Sequence, residues 1–227
     1  MIKKEDLIRL GKETLPLILD KDGEVIYSSH ETLKKGDVYF LGINPGGGGG
    51  TKIKEHLEGM LNKEHNSYIE ESWDDRSRVK IPEGQADLQI RVKYLLSELN
   101  FDTKNVCASN LIFTTSRDIN SLEYGELSNF NGLASYCWEY HKIILEIIQP
   151  KIILCFGNGD KSAYTFIHSI YGGEEKKICA KHGNWKCKAF NTIIQGRNTN
   201  EVSVPHLSRY EIQRKVDVID WLKKFLK

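Results

Sequence analysis

What the chain lacks narrows its class before any motif is read. In 227 residues no apolar run approaches the roughly 18 residues that a membrane span needs. The opening MIKKEDLIRLGKETL carries charge of both signs and has no apolar centre, so no secretory signal is expected. No C-x-x-C pair occurs, and the five cysteines are odd in number and scattered. Cys107 and Cys155 sit inside apolar runs, where a reduced thiol behaves as a small hydrophobe. These absences predict a soluble, cytoplasmic chain without a membrane partner. They also argue against a structural metal, since Cys179, His182 and Cys187 offer only a loose C-x2-H-x4-C spacing.

An excess of one charge is missing as well. Thirty-two Lys and Arg against 31 Asp and Glu leave a net charge of +1, so any nucleic-acid surface must be local rather than global. Local clusters are present at Lys52 and Lys54, at Arg76, Arg78 and Lys80, at Lys181, His182, Lys186 and Lys188, and at Arg209 with Arg214. Each reads equally as a solvated face. There is no internal repeat, and the one low-complexity stretch is a run of glycines. We therefore expect a single domain over residues 1–227 that works as a monomer.

What is there alternates. Short β-branched or aromatic runs at 23–29, 37–43, 105–113, 151–157, 188–196 and 201–206 read as strands, several of them apolar on both faces. Helical periodicity appears at the N-terminus, after the glycines, and over 86–100, 133–149, 161–171 and 208–226. In the last of these Ile212, Val216, Ile219, Leu222 and Phe225 form an apolar stripe. This alternation predicts an α/β fold, a three-layer α/β/α sandwich around a central, mainly parallel sheet. The polar stretch 62–85 has no clear period and is expected to lie near whatever the glycine loop contacts.

In such a sheet, ligands bind at the carboxyl ends of the strands. The glycines after VYFLGINP would bring backbone N–H groups close to an anion or ligand. GGGGGTK lacks the phosphate-loop order of lysine before threonine, and a flexible surface loop is the alternative reading. Asn110, near the end of an apolar strand, must find partners or cost about 1–3 kcal/mol. Its amide both donates and accepts, which suits a nucleobase edge; equally, it could tie neighbouring loops together. His206 closes VSVPH, where it could offer an N–H to an oxygen gaining charge or cap a helix starting near Ser208, itself a good N-cap.

Together these segments resemble the uracil-DNA glycosylase superfamily. LGINPGGG resembles its first motif, in the asparagine–proline form of mismatch-specific and single-strand-selective members. ASNLIF resembles the strand whose asparagine reads the uracil edge, CWEYHKIILEIIQPKIILCFGNGDKSAY the following helix and strand, and VPHLSRY the second motif. The four occur in the superfamily's order across about 37–212. The resemblance implies that Asn44 holds the attacking water, that Asn110 reads a flipped base with Ile43 and Phe113 beside it, and that His206 bonds the pyrimidine O2 as the base departs. It places Gly46, Gly47, Gly48, Leu207, Ser208 and Arg209 against DNA.

Leu207 stands where the motif usually has proline. The cysteines of iron–sulfur members are absent, and the aromatic that stacks on the base has only candidates: Tyr68, Trp73 and Phe113. The implied activity is hydrolysis of an N-glycosidic bond in single- or double-stranded DNA, with no cofactor and no lysine nucleophile, leaving an abasic site. Glycines in place of pocket side chains favour uracil or a pyrimidine with a larger 5-substituent, including bulky 5-substituted cytosines of phage DNA. The competing expectations are a non-catalytic nucleic-acid-binding module and a flavodoxin-like nucleotide binder.

Overall fold

Runs that are apolar on both faces become the centre of the sheet. In the computed structural model, which describes residues 2–46, 50–74 and 79–226, the strands are β1 (Val38–Gly42), β2 (Cys107–Asn110), β3 (Ile152–Phe156), β4 (Lys176–Cys179), β5 (Lys186–Ile194) and β6 (Arg197–Val204). Their order is β2-β1-β3-β6-β5-β4. β2, β1, β3 and β6 run parallel, while β5 is antiparallel to β6 and β4 to β5.

The helices are α1 (Leu7–Thr14), α2 (Ile53–Gly59), α3 (Ser67–Glu70), α4 (Asp87–Glu98), α5 (Phe130–Ile148), α6 (Ala163–Tyr171) and α7 (Val216–Lys223). Alternate side chains of the central strands feed two cores. Tyr39, Leu41, Ile153 and Cys155 pack with α1, α2, α5 and α6, whereas Val38, Phe40, Ile152, Leu154 and Phe156 pack with Tyr68 of α3, α4 and α7. The expected three-layer α/β/α sandwich results. No described helix is long and apolar enough to cross a membrane.

Several boundaries differ from expectation. Residues 23–29 run beside β2 but make only an isolated antiparallel bridge, Gly23 to Thr114. Hydroxyls occupy the ladder positions: Ser28 Oγ accepts from the Ala108 N–H (3.0 Å) and Ser109 Oγ donates to the Val25 carbonyl (2.5 Å). β6 reaches back to Arg197 through a two-residue turn, with Gln195 and Gly196 both at positive φ, 51° and 74°, the conformation that tight hairpins favour. β4 is short, lysine-bearing and at the sheet edge, so it gave no apolar signal.

The final helix starts at Val216 rather than 208. Leu207, Tyr210 and Ile212 are all fully buried and pull the chain into an irregular turn, leaving Val216 64% exposed and out of the predicted stripe.

Candidate active site

Pairing in register sets the chemistry-bearing residues along one edge. Gly42 is level with Asn110, Leu41 with Cys155, and Phe156 with Val204. The carboxyl ends of β2, β1, β3 and β6 therefore lie side by side over three interstrand spacings, about 14 Å. The ladder continues past the strands through Leu111 N–H to Gly42 O (3.0 Å) and Gly157 N–H to Val204 O (2.8 Å).

Asn110 lies on this edge, 3% exposed, and its amide makes no hydrogen bond among the described residues. A Cβ built on Gly42 would sit 2.1 Å from Asn110 Oδ1 and 2.6 Å from Phe156 Cζ. The missing side chain is thus the space in which the amide and the Phe156 ring meet. The amide is not among the fully enclosed unpaired polar groups, so its donors and acceptor are open from this edge to water or to a ligand with complementary groups.

Asn44 is oriented by its own neighbourhood. Its Nδ2 donates to Pro45 O (2.8 Å), to Ser116 Oγ (3.0 Å) and to Ser116 O (3.3 Å). Two of these partners are carbonyls that only accept, so the nitrogen must face them and Oδ1 must face away. Oδ1 has no partner among the described residues and is left to accept, for instance from a water.

His206 follows β6. The Ser208 N–H donates to its Nδ1 (3.2 Å) and the Ser208 hydroxyl lies 2.7 Å from the same atom. Nδ1 is therefore an acceptor and the proton belongs on Nε2, which has no partner among the described residues. Burial pushes the imidazole pKa down to about 4, and the nearby Arg209 charge adds to the effect. The ring stands edge-on to Phe156 at 5.3 Å between centroids. Gly157, at φ 99°, lies close by, and a Cβ there would sit 3.4 Å from His206 Cδ2. At neutral pH His206 is an uncharged N–H donor.

Not every expected residue reaches this edge. Phe113 is fully buried against Tyr140 and His141, so its ring belongs to the α5 core and cannot stack on a base. Leu207 is also fully buried, and its carbonyl accepts from Arg91 Nη1 (2.8 Å); it cannot lie against DNA in this conformation. Ile43 packs its side chain on the α5 side of the sheet, and its carbonyl is taken by the Ile112 N–H. Ser208 orients His206, and Arg209 is exposed beside it. Gly46 has open space around it, whereas Gly47, Gly48, Arg76 and Arg78 lie outside the described residues.

Phe156, Gly42 and Ser116 were missed. Phe156 could have been found: it is the last strand residue before Gly157, and it shares its sheet face with Phe40, on which it stacks at 4.9 Å.

A cleft of about 530 Å³ opens beside Pro45 and Gly46, walled by Glu24, Tyr27, His56, Lys63 and Glu71. Asn44, Asn110 and His206 do not line it. Lys63 Nζ bonds Glu24 (3.0 Å) and Ser67 Oγ (3.2 Å), and Glu71 accepts from Ser67 Oγ (2.7 Å) and Trp73 Nε1 (3.0 Å). Burial raises the Glu24 pKa, but His56 and Lys63 outweigh it and the carboxyl ends up lowered. An aromatic wall links cleft and edge: Tyr27 to Tyr68 (5.8 Å), Tyr68 to Phe40 (5.8 Å), then Phe156 and His206. The 62–85 stretch, expected near whatever the glycine loop contacts, supplies Lys63, His65 and Glu71 to the lining of this cleft, which Gly46 and Gly50 share.

Cys179, His182 and Cys187 do not converge on a metal site, and no described group of His, Cys, Asp or Glu does. Compared with known proteins, the chain matches no family model, and no curated protein sequence is similar enough to register.

Proposed function

We propose that the protein is a monofunctional DNA glycosylase that hydrolyses the N-glycosidic bond of a flipped pyrimidine and leaves an abasic site. The observation that carries this reading is the unpaired, buried amide of Asn110 at the edge shared with Asn44 and a neutral His206. Asn110 would pair with the pyrimidine edge in the space that Gly42 leaves, with Phe156 as the aromatic neighbour. As the bond breaks, charge collects on the base. The His206 Nε2–H would donate to the pyrimidine O2 and stabilise it without giving up its proton. Asn44 Oδ1 would hold a water toward the sugar carbon. An amide is a weak base, so most of the rate would come from leaving-group stabilisation and placement.

The base itself is uracil or a pyrimidine with a larger 5-substituent, such as a bulky 5-substituted cytosine of phage DNA. The cleft beside Pro45 favours the larger group, because its carboxylates, lysine and tyrosine can bond a polar substituent that uracil lacks. Duplex and single-stranded oligonucleotides carrying uracil, 5-hydroxymethylcytosine or a glycosylated hydroxymethylcytosine, scored for alkali-labile sites, test both levels. His206→Ala should lower excision about 100- to 1000-fold while DNA binding persists. DNA binding without excision of any base would instead make the chain a non-catalytic binding module.

A further inference from the structure

A glycosylase that extracts a base from duplex DNA needs a side chain to hold the gap open, and Leu207 is buried in the core. Trp185 is an exposed aromatic on a loop at this edge. It lies in the loop joining β4 to β5, in a run from Lys181 to Lys186 that is exposed throughout. Its own exposure is 39%. β4 runs parallel to β6, so this loop emerges at the same edge of the sheet as His206. Lys188 pairs with Ser203, which sets the start of β5 level with the residues just before His206, one strand spacing, about 4.8 Å, away.

The loop is tied to the His206 turn. Tyr210, fully buried, donates its backbone N–H to His206 O (3.1 Å) and its hydroxyl to Ala180 O (2.7 Å). One rigid side chain thus bridges the catalytic turn and the base of the loop. Asn158, just past β3, donates Nδ2 to Lys186 O (2.8 Å) on the other side. Within the loop Trp185 N–H bonds His182 O (3.1 Å), Ala180 N–H bonds Trp185 O (2.8 Å), and the indole packs on the His182 ring at 4.5 Å. The tryptophan is thereby presented on a braced loop rather than a free one.

The surroundings carry charge of the sign DNA requires. Lys186, where the loop enters β5, and Arg209 after His206 are exposed; Lys181 pairs with Asp217, and Glu211 is an exposed acidic residue two positions past Arg209. An exposed tryptophan between cations is poorly placed for water and well placed for a base stack.

We infer that Trp185 is the duplex-facing wedge, stacking into the space vacated by the flipped nucleotide or on the base beside it. This rests on the glycosylase reading. It assigns the role to a different strand connection from the one the sequence resemblance implies.

The test uses the full chain and a duplex containing one tetrahydrofuran abasic site with 2-aminopurine as its neighbour. The binding and emission readouts need neither turnover nor knowledge of the substrate base, and excision is scored separately on the oligonucleotide panel. Wild type should bind this duplex more tightly than the intact one and change the 2-aminopurine emission. Trp185→Ala should weaken binding about tenfold or more, the loss of one base stack, and abolish the emission change. Trp185→Phe should restore most of both, and single-stranded DNA should be affected less. Equal binding by wild type and Trp185→Ala, with excision intact, overturns the wedge and leaves the glycosylase reading standing. Failure of wild type to prefer the abasic duplex overturns the wedge alone, whereas failure to excise any base overturns the glycosylase reading and the wedge that rests on it.

Discussion

At the residue scale, the site is built from groups whose hydrogen bonds are deliberately incomplete. Asn44 spends its two donors on Pro45 O, Ser116 O and Ser116 Oγ, so its orientation is fixed and only Oδ1 is free. A carboxylate is the stronger base, and Asn44→Asp would be expected to help if basicity were limiting. The neighbourhood argues the opposite. An aspartate oxygen would replace Nδ2 against two carbonyl oxygens, losing charge-free donors and adding repulsion that costs about 1–3 kcal/mol. Asn44→Asp should therefore excise no faster than wild type at pH 7 and should unfold at lower denaturant. A gain in rate with unchanged stability would show that the Ser116 contacts do not set the position of this residue. The placement of Asn44 and His206 just past strand ends was legible in the sequence, because strand ends in a parallel sheet are few. The Ser116 partner was not, because it lies 72 positions away on a loop with no local pattern.

At the element scale, what was readable followed burial. β1 and β3, buried on both faces, appeared as continuous apolar runs, and α5 as a long periodic one. Elements with mixed faces were misjudged, and β6 shows why. Read from the sequence, EVSV begins a strand with a charged residue at its solvent end. The tight turn at Gln195 and Gly196 extends the strand back to Arg197 and puts Glu201 in its middle, paired in register with Ile153.

There Glu201 is fully buried, with Cys155 Sγ 3.5 Å from Oε1 and no partner for Oε2. Burial drives its pKa well above the ordinary 4.5. The folded chain thus keeps a proton that the unfolded chain gives up above pH 4.5, and the stability contribution falls as pH rises beyond that value. Glu201→Gln removes the titration while conserving shape. Its denaturation midpoint at pH 7 should exceed that of wild type. A less stable glutamine variant at pH 7 would mean that the carboxyl has partners which compensate its burial.

At the scale of the whole molecule, three buried groups set how stability depends on pH. His206 and His141 are both pushed down to about 4 by burial; His141 donates Nε2–H to Leu111 O (3.0 Å) and faces the Tyr39 hydroxyl through Nδ1 (2.8 Å). For each, the unfolded chain binds a proton below the ordinary 6.5 while the folded chain does not until about 4. Each therefore contributes stability that is present above pH 6.5 and lost on the way down to pH 4, about 1.4 kcal/mol per pH unit. Glu201 acts in the other direction above pH 4.5. Between pH 4.5 and 6.5 the two histidines outnumber the one carboxyl, so stability should rise by about 1.4 kcal/mol per unit; above pH 6.5 Glu201 opposes stability, joined toward pH 8.5 by the thiols of Cys107, Cys137, Cys155 and Cys187, which burial also raises, and stability should fall. The maximum is expected near pH 6.5, read as denaturant midpoints from pH 4.5 to 8.5. A flat plateau over that range would refute the assignment of all three. Variants apportion it: Glu201→Gln should remove the decline just above pH 6.5 and roughly double the acid slope, whereas His206→Ala should leave the acid limb nearly flat, one histidine balanced against one glutamate. The second variant connects stability to the proposed chemistry, because burial that keeps His206 an uncharged donor also makes the fold sensitive to acid.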